Sequence, residues 1–347
     1  MDYLTPNPKL YNVAWQTDEF NGMPWRLFGR SGLRVSAIGL GTWKMGYPET
    51  GDGARVDEKT SMAILDRSVE LGMTHWDTAN RYNNASGNCE RILGKWFAAN
   101  PDQRRNVVIA TKIFGGMDGR SPNHSRLSRL SIMESTYACL ERMQLEAIDI
   151  MYFHSYDPIT PLEESLEAIE DLIRQDLIRY LAVSNYTVDQ LRATDAAARA
   201  ISGRVTIQAV ENNYDILNRE QADKPGVLDW CARNGASYIA WSPLARGLLT
   251  NRYLDPAKAA KGDRLVDEGM LKDVTPETFE KLRKLAAIAE EGGLTVSQLA
   301  LAYMLTLPGM GPVIPSSTSV KQLEDNAKAG TVKLGEDQLA AIRTALA

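Results

Sequence analysis

Four side chains of kinds that move protons stand at or just beyond the ends of apolar runs: Asp77 in HWDTANRY, Lys112 in VVIATKI, His154 in IDIMYFHS, and Tyr82 five residues after Asp77. Each alone has an ordinary role. A strand-end Asp caps the next helix, a Lys sits on a solvated rim, a His in an apolar strand is a satisfied core residue, and a Tyr in a connecting loop packs. Together they imply more. A lysine buried among apolar strands needs a carboxylate partner, a tyrosine beside its ammonium has its pKa drawn down from about 10, and a neighbouring imidazole donates to the same oxygen. Such a set delivers a proton to a carbonyl oxygen.

The elements that carry these residues alternate. Short β-branched or apolar runs at 36–41, 74–78, 106–112, 148–154, 178–184, 205–210, 237–242 and 311–315 are predicted strands. Between and after them, amphipathic stretches at 59–71, 87–98, 127–143, 161–174, 187–198, 226–234, 277–291, 295–305, 320–328 and 336–346 are predicted helices. Eight parallel βα units point to a (β/α)8 TIM barrel in the α/β class, although an open doubly wound sheet has the same local pattern. Either architecture gathers its chemistry at the C-terminal ends of the strands, where the four residues fall. Before the first unit, 25–27 and 33–35 flank a turn at 28–32 and read as a hairpin capping the barrel bottom. After strand 7, residues 244–275 carry little apolar periodicity, the mark of a lid or binding loop. Residues 1–24 read as an N-terminal extension and 25–347 as one domain, since no Pro/Gly/Ser tract divides the chain.

Composition narrows the partners. A net charge of -5 in 347 residues leaves no basic face for nucleic acid. Three scattered cysteines (Cys89, Cys139, Cys231) suggest neither a disulfide framework nor a zinc site, and fit a reducing cytoplasm. His75, His124 and His154 show no metal-ligand spacing. No run approaches the roughly 20 apolar residues of a membrane span, and the N-terminus lacks the layout of a secretion signal. No metal, nucleic acid or membrane partner is expected.

The motif series GLGTWKMG, DTANRY, ATK, FHS, VSNY, WSPLARG and IPSSTSVKQLEDN, in that order, resembles the aldo-keto reductase superfamily across the whole barrel. WSPLARGLLT and the loop after it are similar to the branch holding bacterial sugar-type oxidoreductases and potassium-channel β-subunits. The resemblance implies an oxidoreductase interconverting an aldehyde or ketone with its alcohol, using a nicotinamide cofactor. Tyr82 would be the general acid, Lys112 would depress its pKa, Asp77 would hold Lys112, and His154 would orient the carbonyl. It further implies that Ser184, Asn185 and Gln208 hold the carboxamide and that Trp241 stacks on the nicotinamide. Gly41, Thr42 and Trp43, with Asp77, would approach the cofactor, and Ser242, Pro243, Leu244, Arg246 and Gly247 would lie along the pyrophosphate. Ile314, Ser316, Thr318, Gln322 and Asn326 would surround the adenosine end.

This chain departs from that pattern in two places. The adenosine segment carries Ser316, Thr318, Lys321 and Gln322 where stronger basic residues are usual, which predicts use of NADPH with NADH also accepted. Asn83 follows the catalytic tyrosine where glycine is common, and Glu90 matches an acidic position that would hydrogen-bond the adenine or support the helix. Trp43, Trp76, Tyr82, Phe114 and His154 are the expected substrate pocket, suited to a sugar-like or bulky polyoxygenated carbonyl compound. The alternative is a nicotinamide-sensing interaction module of the channel β-subunit type; oligomerisation is compatible with either. A barrel isomerase acting on phosphate esters would not explain the paired Tyr and Lys.

Overall fold

The computed structural model describes residues 18–117 and 119–347, so most of the expected N-terminal extension lies outside the described residues. The part that is described joins a small antiparallel sheet. Glu19–Phe20 pairs with Met23–Leu27, which pairs in turn with Arg34–Ser36 in the register Trp25↔Ser36 and Leu27↔Arg34.

Eight parallel strands follow: β1 Leu40–Gly41, β2 His75–Asp77, β3 Val108–Ile113, β4 Ile148–Phe153, β5 Ile178–Ser184, β6 Ala209–Asp215, β7 Ser237–Trp241 and β8 Met310–Val313. They lie side by side in chain order. The two edges then meet: Gly39 N donates to Val313 O at 2.9 Å, Val313 N to Ala37 O at 3.1 Å, and Gly41 N to Pro315 O at 3.2 Å. A closed (β/α)8 barrel results, and the open-sheet alternative is removed.

The connecting helices begin where the sequence supplies caps. α1 Glu58–Glu70 starts on Asp57, whose carboxylate accepts from Thr60 N, and α2 Asn88–Ala99 follows. α3 Arg129–Met143 starts on Ser128, α4 Leu162–Arg174 on Pro161, and α5 Val188–Ile201 on a Thr187–Gln190 capping box. α6 Val227–Asn234 precedes β7, α7 Pro276–Glu291 and α8 Val296–Met304 precede β8, and α9 Val320–Lys328 and α10 Glu336–Leu346 close the chain. None of the described helices is long and apolar enough to cross a membrane.

Strand alternation divides the core in two. One set, including Ile109, Met151, Leu181 and Trp76, faces the helices. The other fills the barrel: Ala110, Ile150, Tyr152, Ala182, Ala209 and Ile239, with Phe28 and Val35 of the hairpin plugging its lower end. The same parity continues upward into polar residues, so Asp77, Lys112, Ser184 and Glu211 end inside the barrel top.

Two strand boundaries differ from the expected ones. Strand 1 is split, because Ser36 ends the hairpin and only Leu40–Gly41 joins the barrel ladder. Strand 6 runs Ala209–Asp215 instead of 205–210, with Gly203–Val205 forming a 3-10 turn below it. The segment after β7 is not structureless either. It folds as short 3-10 turns and a one-turn helix, Arg264–Asp267, anchored by buried Tyr253, whose hydroxyl accepts from Leu265 N at 3.2 Å.

The hairpin turn is locked to the barrel floor. Gly29 has φ +61°, its N–H donates to Ser237 Oγ at 2.8 Å, and a Cβ there would lie 2.0 Å from the Gln208 carbonyl oxygen. Gly29→Ala is expected to lower unfolding free energy by at least about 2 kcal/mol through left-handed strain and this clash. Gly32→Ala, with nothing within 4 Å of the new methyl, should stay within about 0.5 kcal/mol of the parent. Denaturant titration of both variants checks this; equal midpoints would mean that the plug does not bear on β6.

Candidate active site

At the C-terminal mouth of the barrel lies a cavity of about 1170 Å³, larger than the usual small-molecule site of roughly 300–1,000 Å³. Its floor is a cluster around Lys112, a side chain only 1 % exposed. The ammonium donates to Asp77 Oδ1 at 2.5 Å and Oδ2 at 2.6 Å, to the Thr78 carbonyl at 3.0 Å and to Tyr82 Oη at 3.0 Å. Tyr82 Oη also reaches Asp77 Oδ2 at 3.2 Å, and its ring meets the His154 ring edge-on at 6.2 Å. Registration makes this possible: Asp77 sits beside Ala110 and Lys112 beside Tyr152, so the three strands deliver neighbouring residues to one layer.

A fifth member was not foreseen. Glu211 on β6, paired in register with Ser184, is 2 % exposed and brings Oε1 to 3.3 Å from the Lys112 ammonium. Its other oxygen, Oε2, is buried with no hydrogen-bond partner, and the residue lines the cavity. The misplaced sixth strand hid it. Moving the strand from 205–210 to Ala209–Asp215 replaces Gln208 by Glu211 as the residue at the barrel top; the alternation in AVENNYD, read with a later start, would have found it.

Burial and the Asp77 charge push the Glu211 carboxyl well above the usual range, against the pull of Lys112, which favours its protonated form. Burial opposes the Lys112 cation, but Asp77, Glu211 and Tyr82 together hold its pKa above the ordinary value. His154 is brought down to about 3 by burial, then by Lys112 and Arg81, and is neutral near pH 7. The Tyr82 phenol is raised well above 10 by burial; Lys112 draws it down as expected without setting the net direction. Desolvation comes first and the Asp77 carboxylate second, and together they outweigh the ammonium.

Most of the anticipated contact residues do line the cavity: Gly41, Trp43, Asp77, Tyr82, His154, Ser184, Asn185, Trp241, Ser242, Pro243, Leu244, Arg246, Gly247, Ile314, Ser316, Thr318, Gln322 and Asn326. Phe114 lines a side cavity that opens beside His154. At the start of α9, Gln322 Oε1 accepts from Thr318 N at 2.9 Å and Oγ1 at 3.0 Å, and Asn326 Nδ2 donates to Ser317 Oγ at 3.2 Å. Backbone strain concentrates here, with positive φ at Asn185, Ser242, Ala245 and Arg246.

Four assignments are corrected. Gln208 lies at the opposite end of the barrel, accepting from Arg30 N at 3.1 Å and donating to Thr206 Oγ1 at 2.9 Å. Trp76, between inward-facing His75 and Asp77, points at the helices, 4.6 Å between its ring centroid and that of Trp96, and so is core rather than substrate pocket. Thr42 is fully buried, its hydroxyl donating to the Asp77 carbonyl at 2.8 Å, so it supports β2 instead of lining the cavity. For Glu90 the adenine contact is removed and the helix-supporting alternative holds: it is paired with Arg142 at 2.6 Å and accepts from Thr111 at 2.6 Å, tying α2 to its neighbours.

The upper end of the cavity is cationic. Lys44 lies 3.7 Å and the Arg264 guanidinium 4.7 Å from the centroid of the Trp43 ring, and Arg55 pairs with Asp267 of the lid. Burial, then Arg264, with further repulsion from Arg55 and Arg246 and only Glu268 opposing, brings Lys44 down to about 7. None of Lys44, Arg55 or Arg264 was singled out from sequence, since they come from separate segments that only folding assembles. The arrangement suits a ligand with phosphates at this end and a polar planar group over the Tyr82 floor.

Known proteins match this chain. Residues 37–347 fit the model of the Aldo/keto reductase family. The chain is 32 % identical over 324 residues to L-glyceraldehyde 3-phosphate reductase of Escherichia coli (strain K12), covering 90 % of this chain and 89 % of that one. It is 31 % identical over 337 residues to Aldo-keto reductase AFTS1 of Alternaria alternata, covering 90 % and 89 % of the two chains. A probable voltage-gated potassium channel subunit beta of Oryza sativa subsp. japonica is 30 % identical over 318 residues, with 88 % and 91 % coverage.

The Lys44 cluster generates a linkage prediction. An anion bound there raises the Lys44 pKa above its free value of about 7, so binding of a phosphate-bearing dinucleotide is strongest below pH 7 and weakens as pH rises beyond it. The loss approaches about tenfold per pH unit until the bound-state pKa is reached. Calorimetry at pH 7.5 in buffers of different ionisation enthalpy should register proton uptake, and Lys44→Met should abolish it; buffer-independent heats in the parent would remove Lys44 from the anion site.

Proposed function

This chain belongs to the aldo-keto reductase family, and on that premise we propose that it reduces an aldehyde or ketone to the alcohol with NADPH, accepting NADH as well. Reduction of carbonyl compounds is the chemistry named for its reductase relatives. The observation that carries the residue assignment is the contact of Lys112 with both Asp77 and Tyr82, at 2.5 Å and 3.0 Å, on the floor of a cavity that His154 also faces.

When bound, the reduced nicotinamide supplies the hydride to the carbonyl carbon. Tyr82, held protonated, gives its phenolic proton to the carbonyl oxygen as negative charge develops there. The phenolate left behind is 3.0 Å from the Lys112 ammonium, which stabilises it until solvent returns the proton. Neutral His154 keeps one N–H for the same oxygen and fixes the direction of the carbonyl. Asp77 acts through Lys112, holding its charge and position.

The chain's residues fit the cofactor. A Cβ at Gly41 would lie 2.8 Å from Ser316 Oγ and 3.0 Å from Ile314 O, so the backbone there is bare toward the cavity. Ser184, Asn185 and the unpartnered Glu211 Oε2 offer polar atoms for a carboxamide, and Trp241 an aromatic face. Lys44, Arg246 and Arg264 offer charge for the pyrophosphate. At the adenosine end, Ser316, Thr318, Gln322 and Lys321 supply hydroxyls, an amide and a single-point charge instead of an arginine fork, which supports weak discrimination between NADPH and NADH.

Residues 25–347 are read as one catalytic domain with a sugar-like or bulky polyoxygenated carbonyl compound as substrate. No disulfide joins the three buried cysteines among the described residues, which supports a reducing cytoplasm. The second reading, a nicotinamide-sensing interaction module, draws on the relative named as a channel subunit.

Tyr82→Phe is expected to leave cofactor affinity within about twofold and to cut turnover by at least about 100-fold. Tryptophan quenching by NADPH and NADH, then cofactor absorbance with a carbonyl panel, separates the readings. Unimpaired turnover in Tyr82→Phe would remove the tyrosine from the mechanism, an NADH affinity a thousandfold below that of NADPH would remove the relaxed phosphate site, and tight binding without turnover would move the protein to the sensing class.

A further inference from the structure

Beside the main cavity, and joined to it where His154 and Asn185 line both, a second hollow of about 690 Å³ opens to solvent. It is bounded by Arg81, Asn84, Phe114, Gly115 and Ser155. No carboxylate lines it among the described residues. Arg81 is exposed there and forms no ion pair among the described residues, whereas Arg126 beyond the next strand is matched by Asp157 at 3.3 Å.

The Arg81 stem passes over Gly115: a Cβ at that glycine would be 1.9 Å from Arg81 Cδ and 2.5 Å from Nη1, so a side chain there would displace the arginine from this position. The residue stands next to Tyr82 and opens a turn in which Asn83, Asn84 and Ala85 all have positive φ, +56°, +58° and +58°. That turn is tied down by Asn83 Nδ2 donating to Met45 O at 2.5 Å, Asn84 Nδ2 to Gly51 O at 3.4 Å and Ala85 N to Arg81 O at 3.1 Å. Three consecutive left-handed residues are an unfavourable backbone that the surrounding fold sustains, and the turn they form begins at Arg81, whose side chain lines the hollow at the mouth of the proton-donating site.

We propose that this hollow is an anion subsite of the substrate, with Arg81 gripping a carboxylate or phosphate carried on the side of the carbonyl compound remote from the cofactor. The proposal rests on the reductase reading of the main cavity. A carbonyl placed under Tyr82 and His154 extends its remaining chain past His154 into the hollow, where Phe114 covers an apolar stretch and the Arg81 fork with the Asn84 amide meets oxygen atoms. The floor beneath does not repel such a ligand, because Asp77 is matched by Lys112 and Glu211 is neutral. A planar guanidinium, with no carboxylate among the described residues lining the hollow, is the group best shaped for two oxygens of one anion.

The test is the ratio of kcat/KM for matched aldehydes: succinic semialdehyde against butanal, and glyceraldehyde 3-phosphate against glyceraldehyde. The parent should favour the charged member of at least one pair by about 10- to 100-fold, the scale of a charge-assisted hydrogen bond at a partly solvated site. Arg81→Gln should bring that ratio to near one, Arg81→Lys should restore part of it, and raising the ionic strength should shrink it in the parent. Each variant's own neutral aldehyde is the internal standard, so a loss of folded protein cancels. Parity between charged and neutral members in the parent, or a preference that survives Arg81→Gln, overturns the subsite. Failure of the parent to turn over any of the four aldehydes would instead count against the reductase reading, which keeps the two outcomes apart.

Discussion

A lysine ammonium buried at the top of a closed barrel is the demand that the rest of the site answers. Lys112 is 1 % exposed, and removing an ammonium from water costs several kcal/mol even after relaxation. Its three protons therefore need acceptors that are themselves fixed. Asp77, the Thr78 carbonyl and the Tyr82 hydroxyl provide them from the neighbouring strand and the loop it feeds. A second carboxylate, Glu211, approaches from the far side of the barrel, yet full ionisation of both acids would leave excess negative charge in a desolvated layer. Glu211 resolves this by keeping its proton, so one cation faces one anion among three neutral groups. The Tyr82 proton is held by the same balance, and so the residue is ready to give it up only when a new negative charge appears on the oxygen above it.

The barrel turns that local demand into geometry. Because parallel strands advance with period two, the chain that places Ala110 and Ile150 in the apolar interior also places Lys112 in the polar layer above them. Closure between the first and last strands sets the radius at which side chains from β2, β3 and β6 converge. The hairpin plug removes water from the lower end, with Phe28 fully buried against the interior layer. Without the plug the interior would be open at both ends, and the desolvation that governs the protonation states of Tyr82, His154 and Glu211 would weaken. His75 illustrates the dryness of that layer: both of its ring nitrogens lack partners and its pKa falls to about 3.

How far the sequence could be read follows from these same rules. Asp77, Lys112 and His154 were legible because each terminates a strongly apolar run, where strand ends are easy to place. Glu211 was not, since the run at 205–210 looked complete before the acid was reached, and a strand moved along the chain by three residues changes which side chains face inward. Trp76 was misassigned for want of the same parity: an aromatic between two inward polar residues must face the helices. The net direction of the Tyr82 shift depended first on desolvation, which a linear motif does not display, and then on the Asp77 charge. Lys44, Arg55, Arg246 and Arg264 are spread along more than 200 residues, and nothing in their local patterns says that they share one wall. Arg81 stands inside the DTANRY motif, and nothing in the linear pattern shows that its side chain lines a hollow beside His154.

The cavity that results is electrically graded. Over the floor, Lys112 and Asp77 cancel and Glu211, Tyr82 and His154 are neutral, so this end accepts a polar but uncharged group without a strong field. At the lid end the cations outnumber the acids, and burial together with their repulsion brings Lys44 to about 7 before any ligand arrives. A ligand that is neutral and planar at one end and anionic along its length therefore has a single favoured orientation, set by charge before any hydrogen bond forms. Reversed, it would bring phosphates against Asp77 in a low-dielectric pocket and leave the lid cations unmatched. The gradient also explains why the lid is tied by Arg55 to Asp267 and stacked through Arg264 on Trp43. Those contacts hold like charges close together, and the repulsion they store is released when an anion enters between them.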